Sequence, residues 1–292
     1  MEKRSTRLPV GRIVTGDCVR TMARWPAGSV DAIVTSPPYP LIERAYGRWT
    51  EPQWLLWMPK VVAACNRLLK PTGSMVFVIG PTFRRVGQLG PWPYRFVADV
   101  LDAGHNVVQD AYWVDPCRLP IGGVQVGLMR SSVLWCVWIG PPDCYRNAKD
   151  VLWEHSDKFK QDLNRMGKRA GLMDGGPTIK VEGVKITPAG QAIHPSIYRD
   201  RGGASPMNAL VAHNSGRHTA GHPAAFPETL AAFWVKYICP PGGVVLDPFA
   251  GSGTTCAAAA KHGRRWAGIE RVAAYARRAR VRIRKAASNR RA

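Results

Sequence analysis

An aspartate, two glycines and a glutamate carry the first chemical signal. The segment VVLDPFAGSGTT reads as a buried strand ending on Asp247, a tight loop holding Gly251 and Gly253, and the start of a helix. Glycine lets backbone approach a ligand with no Cβ in the way. The next strand ends on Glu270, 23 residues beyond Asp247. In doubly wound folds an acidic side chain about that far past a glycine loop, at the end of the next strand, binds ribose hydroxyls. A lone GxG is often only a helix-entry turn. Here the strand–loop–helix–strand context and the two strand-end acids favour a binding site. No lysine follows GSG, which argues against a Walker-type phosphate loop, and the third glycine of a dinucleotide fingerprint is missing.

The second signal is Ser36-Pro37-Pro38-Tyr39, which ends the apolar run of DAIVTS. Two prolines fix a rigid extended turn and remove backbone donors. The turn is therefore rich in acceptors and poor in donors, and it follows a strand. Sheets of parallel strands bind ligands at their carboxyl ends. Taken alone, the tetrapeptide reads as a proline-rich surface turn. Beside the glycine loop it reads as a site for a ligand that donates hydrogen bonds.

The elements that must position these residues alternate. GRIVTGD and DAIVTS are strands with a short helix between them. Glu51 to Leu69 has helical spacing, with Pro59 predicting a kink or break. KPTG is a turn, SMVFVIG a buried strand, and YRFVADVLDAGH a helix ending at Gly104. VVQDAYWV and SSVLWCVWIG are two more strands. From Pro141 to Gly221 periodicity fades into Pro, Gly, Asn, His and basic residues, which predicts a small irregular insert. PAAFPETLAAFWVKYIC is a helix, followed by the strand VVLD, the helix TTCAAAAKH, the strand WAGIE and a basic helix starting at Arg271. The pattern predicts an α/β fold with a mainly parallel, Rossmann-like sheet and helices on both faces. Its domain comprises residues 1–142 and 222–292, with 143–221 as the insert.

The 292 residues carry a net charge of +21, and 46% are hydrophobic. A folded chain this basic points to a polyanionic partner, usually nucleic acid. No apolar stretch is long enough to span a bilayer and no secretory h-region follows the N-terminus, so the chain is expected to be soluble and cytoplasmic. The seven cysteines form no CxxC pair, against both a disulfide framework and a zinc ribbon. No metal site is expected.

DPFAGSGTT and TSPPY together resemble the S-adenosylmethionine-dependent DNA methyltransferases that modify exocyclic amino groups. The tetrapeptide precedes the cofactor loop, which is the circularly permuted order of that family's beta group, and HPAAFPETL is similar to its HPAxFP segment. The resemblance implies S-adenosyl-L-methionine as cofactor. Asp247, Phe249, Gly251 and Gly253 would line its methionine part, Glu270 would hold the ribose, and Asp17 the adenine amino group. Thr254 and His222 to Pro227 would approach the methionine carboxylate. An ordinary helix-entry turn accounts equally well for His222.

The same resemblance gives Ser36 to Tyr39 their chemistry. Ser36 Oγ and the Pro37 carbonyl would accept hydrogen bonds from an exocyclic amine, Pro38 would stiffen the turn, and Tyr39 would stack on an extruded base. Direct in-line methyl transfer needs no covalent intermediate. The Pro-Cys pair at Cys117 is reminiscent of cytosine-C5 enzymes, but Arg118 replaces their glutamine. Where the family often has WxK, this chain has Trp113-Val114-Asp115. Ser at the first tetrapeptide position leans toward N4 of cytosine in duplex DNA, with N6 of adenine as the alternative. An RNA methyltransferase or a non-catalytic DNA-binding module is a more remote reading. Within 143–221, Arg146, Lys168, Arg169, Arg199, Arg201 and Arg217 are candidate DNA contacts. The basic last helix reads equally as a DNA-backbone contact or a solvated tail. The family also admits a homodimer and a cognate restriction enzyme.

Overall fold

The computed structural model describes residues 7–116, 131–153, 206–213 and 226–288, with three short strands between 180 and 193. The chain divides into two compact units, residues 1–147 with 207–292, and residues 148–206. The larger unit alternates β1 (Arg12–Thr15), α1 (Cys18–Ala23), β2 (Val30–Thr35), α2 (Glu51–Leu68) and β3 (Leu69–Ile79). A hairpin follows, β4 (Phe83–Arg85) and β5 (Gln88–Leu89), then α3 (Trp92–Asp102), β6 (Val107–Gln109), β7 (Tyr112–Val114) and β8 (Val133–Ile139). The smaller unit holds the three-stranded sheet β9 (Lys180–Val181), β10 (Val184–Ile186) and β11 (Ala192–Ile193). The larger unit resumes with β12 (Ala209–Val211), α4 (Glu228–Ile238), β13 (Val244–Asp247), α5 (Thr254–Lys261), β14 (Arg265–Glu270) and α6 (Ala273–Ser288).

The main sheet runs β1-β14-β13-β2-β3-β8-β7-β12, with β6 also paired to β8. β1, β14, β13, β2 and β3 are mutually parallel, and β8 is antiparallel to β3, β6 and β7. All strands of this sheet except β8 therefore point one way. β2 leads through α2 to β3 on one side, and β13 leads through α5 to β14 on the other. The crevice between β2 and β13 is thus the point where strand order reverses, the usual ligand position in such sheets. β3 and β13 read as continuous apolar runs because both their faces are covered. Over one face Trp54, Met58, Val62 and Cys65 of α2 join Met22 of α1 and Phe96 of α3 in one buried core cluster.

Local chemistry accounts for the departures from expectation. KPTG is not a turn between elements but a bulge inside β3: Val30 faces Leu69 and Ala32 faces Ser74, so extra residues loop out at Lys70–Gly73. α2 runs unbroken through Pro59, which is exposed, so the carbonyl its ring leaves unpaired can turn to solvent. Its start is fixed by a reciprocal cap between Thr50 and Gln53. VVQDAYWV breaks into β6 and β7, both paired to β8. Ala209–Val211, inside the segment expected as insert, adds a parallel strand beside β7. α4 starts at Glu228, after Pro227, later than the apolar pattern suggests.

Candidate active site

With nearly all strands pointing one way, their carboxyl ends gather along one edge of the sheet. A cavity of about 490 Å3 opens there, and residues at the ends of six strands line it. Gly16 and Asp17 follow β1, Ser36 to Tyr39 follow β2, Pro81 and Thr82 follow β3, Asp115 follows β7, Pro248 and Phe249 follow β13, and Glu270 ends β14. Leu134 reaches the same edge because β8 is reversed and begins there. The two sequence signals, about 210 residues apart, meet through the β2–β13 pair.

The tetrapeptide is held from behind. Trp54 Nε1 on α2 donates to the Pro38 carbonyl at 2.6 Å. The Tyr39 hydroxyl donates to the Val78 carbonyl of β3 at 3.1 Å, and Ser36 Oγ donates to the Tyr39 hydroxyl at 3.3 Å. The Ser36 proton is thereby committed to the Tyr39 hydroxyl, and the lone pairs of Oγ remain as acceptors. The Tyr39 ring rests 5.6 Å from that of Trp92, itself fully buried.

The glycine loop is tied in the same way. Glu270 accepts from the Gly251 amide at 2.8 Å and the Val272 amide at 2.7 Å. Burial raises its pKa, and those amides oppose the rise. Asp247 does not line the cavity. It is buried under the crevice, accepting from Thr35 Oγ1 at 2.6 Å and the Phe249 amide at 3.0 Å. Burial pushes its carboxyl up to about 6 despite these bonds. Gly253 also lies behind the site. Its φ is +78°, and a Cβ there would stand 3.0 Å from Ala279 Cβ and 3.1 Å from Ile283 Cδ1 on α6. Thr254, buried, meets Arg282 of α6 at 2.8 Å, and Arg282 also reaches Ser252 and Glu228.

α6 is therefore neither a free tail nor a loose basic helix. Ala276, Ala279 and Ile283 are buried, and Arg280 donates to the Ile13 carbonyl at 2.9 Å. It buttresses the glycine loop, and Arg271 just before it lines the cavity.

Of the expected cofactor residues, Asp17, Phe249, Gly251 and Glu270 line the cavity together with Ser36 to Tyr39, while Asp247, Gly253 and Thr254 form its floor or backing. Asp17 also caps α1, accepting from the Arg20 amide. His222 lies outside the described residues, as do Cys117, Lys168, Arg169, Arg199, Arg201 and Arg217. Arg146 is exposed, but it is not brought to the cavity. Its neighbour Tyr145 bonds Thr72 near the start of β3, at the opposite edge of the sheet. Trp113 does wall the cavity, its indole N–H bonded to the Ala212 carbonyl at 2.8 Å.

Sequence reasoning missed the loop from Leu41 to Trp49. It contributes Leu41, Ile42, Arg44, Tyr46 and Trp49 to the lining, and Trp49 stacks on Trp57, which meets Phe249 edge-on. Its only advance signal is the aromatic content between the tetrapeptide and α2. The described cysteines are all buried. Even Cys18, on the cavity wall, is pushed up to about 12 by burial and then by Asp17, so no thiolate nucleophile serves this site from among them.

A parallel-sheet enzyme site with an acceptor turn and a glycine loop at its switch point is what these residues build. The profile of the N6/N4 DNA methylase family matches residues 30–281, and the chain belongs to that family. The type II methyltransferase M.PvuII of Proteus hauseri is 27% identical over 279 residues, covering 89% of this chain and 80% of that protein. M.BglII of Bacillus subtilis is 27% identical over 261 residues, covering 89% of this chain and 65% of that protein. Among solved structures, the cytosine-N4-specific PvuII DNA methyltransferase shares the fold, with a TM-score of 0.67 at 21% identity over 99% of this chain and 95% of that one. M1.HpyAVI, solved as a complex with S-adenosylmethionine, does so with a TM-score of 0.54 at 18% identity over 93% of this chain and 98% of that one. Among the described residues no helix is long and apolar enough to cross a membrane.

Proposed function

We propose that this DNA methyltransferase modifies the exocyclic N4 of cytosine in duplex DNA, with S-adenosyl-L-methionine as cofactor. The observation that carries amine methylation is the hydrogen-bond chain from Ser36 through Tyr39 to the Val78 carbonyl, and the choice of cytosine rests on serine as the first residue of the tetrapeptide. An exocyclic amine donates, so the residue that holds it must accept. A serine whose proton is already committed is a neutral acceptor aimed at the cavity. The Pro37 carbonyl, in a turn without backbone donors at positions 37 and 38, is the second acceptor. Among the similar solved structures, the PvuII DNA methyltransferase is cytosine-N4-specific.

The cavity fits the cofactor. The carboxylate of Glu270 faces it with lone pairs beyond those its two amide bonds use, as a ribose diol requires. Phe249, Trp57 and Tyr46 offer aromatic walls for a purine, and Asp17 an acceptor for its amino group. Gly251, in the same wall, presents backbone with no side chain. When bound, S-adenosyl-L-methionine supplies a methyl group activated by its sulfonium centre.

The chain's own residues do the rest. Ser36 Oγ and the Pro37 carbonyl hold the amine and set the direction of its lone pair. Tyr39 and Trp113 flank the extruded base, which leaves the stack to reach them. The cavity's aromatic walls exclude water, and positioning supplies most of the acceleration. Residues of 143–221 serve target recognition in this reading. A paired restriction enzyme and a role in restriction–modification belong to the same proposal.

The test uses purified protein, labelled S-adenosylmethionine and unmethylated duplex DNA, digested afterwards to nucleosides and weighed by mass spectrometry. N4-methylcytosine is expected, with Ser36→Ala at least about a hundredfold slower, the loss of a transition-state contact of about 3 kcal/mol. N6-methyladenine would overturn the cytosine assignment and keep the site. Unlabelled DNA would overturn both.

A further inference from the structure

The hairpin β4–β5 is not needed for the chemistry described above, yet it stands at the rim of the cavity. Every residue from Phe83 to Leu89 is exposed, while Thr82 and Gly90 at its two roots are buried. Three of the exposed residues are large and apolar: Phe83, Val86 and Leu89, with Val86 at 61% exposure. Phe83 and Leu89 face each other across the two strands, and Val86 sits at the turn beside Gly87, whose φ is +73°. Arg84 and Arg85 flank them.

The projection is short and its root is rigid. The Gly90 amide donates to the Thr82 carbonyl at 2.8 Å, and Trp92 Nε1 to Thr82 Oγ1 at 2.8 Å. Arg84 pairs with Glu51, a buried carboxylate at the start of α2. Gly90 packs so closely on Glu51 that a Cβ would overlap its carboxylate. The same root lines the cavity through Pro81, Thr82 and Phe83, on the side where Trp92 supports the Tyr39 ring. An apolar tip on a stiff basic stalk, continuous with the wall that receives a base, is matched to one kind of partner.

We propose that the tip of this hairpin, Val86, backed by Leu89 nearer the root, is a wedge that enters the base stack of duplex DNA beside the target nucleotide, while Arg85 meets a flanking phosphate. Apolar side chains inserted between base steps unstack them and offset part of the cost of extruding a base. The charge of the rim suits the phosphate backbone, in a chain of net charge +21. The inference rests on the DNA methylation reading above.

The test compares the wild type with the double variant Val86→Ser, Leu89→Ser on unmethylated plasmid. The first readout is the methylation rate. The second is the linking-number change trapped when nicked plasmid is ligated under saturating protein, with occupancy matched by filter binding. The expected result is a variant with unchanged thermal midpoint, since both residues are exposed. Its methylation should be at least tenfold slower, and its DNA unwinding reduced at equal occupancy. Arg85→Gln should weaken binding and lower the salt slope by about one. A variant that methylates and unwinds as the wild type does overturns the wedge and leaves the methylation reading intact. A variant altered only in oligomeric state by sedimentation overturns it in favour of a protein contact. Failure of the wild type to methylate DNA defeats the underlying reading instead.

Discussion

Replacing Asp247 with asparagine should stabilise the protein by an amount that depends on pH. Asp247 is 2% exposed, and burial is the largest influence on its carboxyl, which stands at about 6 against 3.8 for the free side chain. A carboxyl raised on folding favours the fold when protonated. That advantage is complete below about pH 4 and is lost as pH rises through 6. At about 1.4 kcal/mol per tenfold, keeping Asp247 ionised costs the folded state about 3 kcal/mol at pH 8 and between about 1 and 2 kcal/mol at pH 5. The asparagine side chain would keep an oxygen for Thr35 Oγ1 and the Phe249 amide without carrying charge. Any packing cost of the amide is the same at every pH, so the difference between the two proteins isolates the ionisation. Urea unfolding at several pH values from 5 to 8 should give a stability difference that moves by about 1–2 kcal/mol in favour of the asparagine variant as pH rises. Two parallel stability curves would refute the reasoning, and so would a difference that moves the other way.

Gly253→Ala should destabilise by about 2–4 kcal/mol, adding the left-handed backbone cost to the overlap with Ala279 and Ile283. Denaturant unfolding measures it, and a neutral result would mean that α6 does not buttress the loop. Tyr39→Phe keeps the ring and removes the acceptor for the Ser36 proton. We expect kcat to fall about tenfold, the worth of one hydrogen bond, with KM nearly unchanged. Glu270→Ala should weaken binding of S-adenosyl-L-methionine by at least about tenfold in calorimetry, from the loss of charge-assisted bonds, while the wild-type affinity stays flat above the pH where Glu270 is ionised.

The alternating half of the fold was legible because each of its elements carries its own signal. SMVFVIG and VVLD are apolar runs too short for helices, and TTCAAAAKH follows a glycine loop. Where the chain departed from expectation, tertiary partners decided. Lys70–Gly73 has turn composition, but β2 continues beside it and draws the residues into a bulge. Residues 209–211 are too short for periodicity to speak, and only the open edge of β7 makes them a strand. At the site, motif residues were legible as types but not as positions. Nothing local distinguishes Asp247, which is buried behind the crevice, from Glu270, which lines the cavity. That distinction comes from where each strand ends relative to its neighbours. Trp49, Trp57 and Leu134 come to the cavity from separate elements, so no spacing in the chain announces them.

The pairing of β2 with β13 also has a consequence for how the protein is made. Thr35 and Asp247 are 212 residues apart, and β1 likewise pairs with β14 near the other end of the chain. During synthesis β2 and β3 can pair early, but one long edge of β2 stays open until the ribosome has released residue 247 and beyond. An apolar strand with unpaired backbone is an invitation to other nascent chains. The order of motifs that sets the tetrapeptide first and the cofactor loop last therefore keeps the half-built protein inactive, and it also makes that half-built protein the stage at which aggregation most threatens.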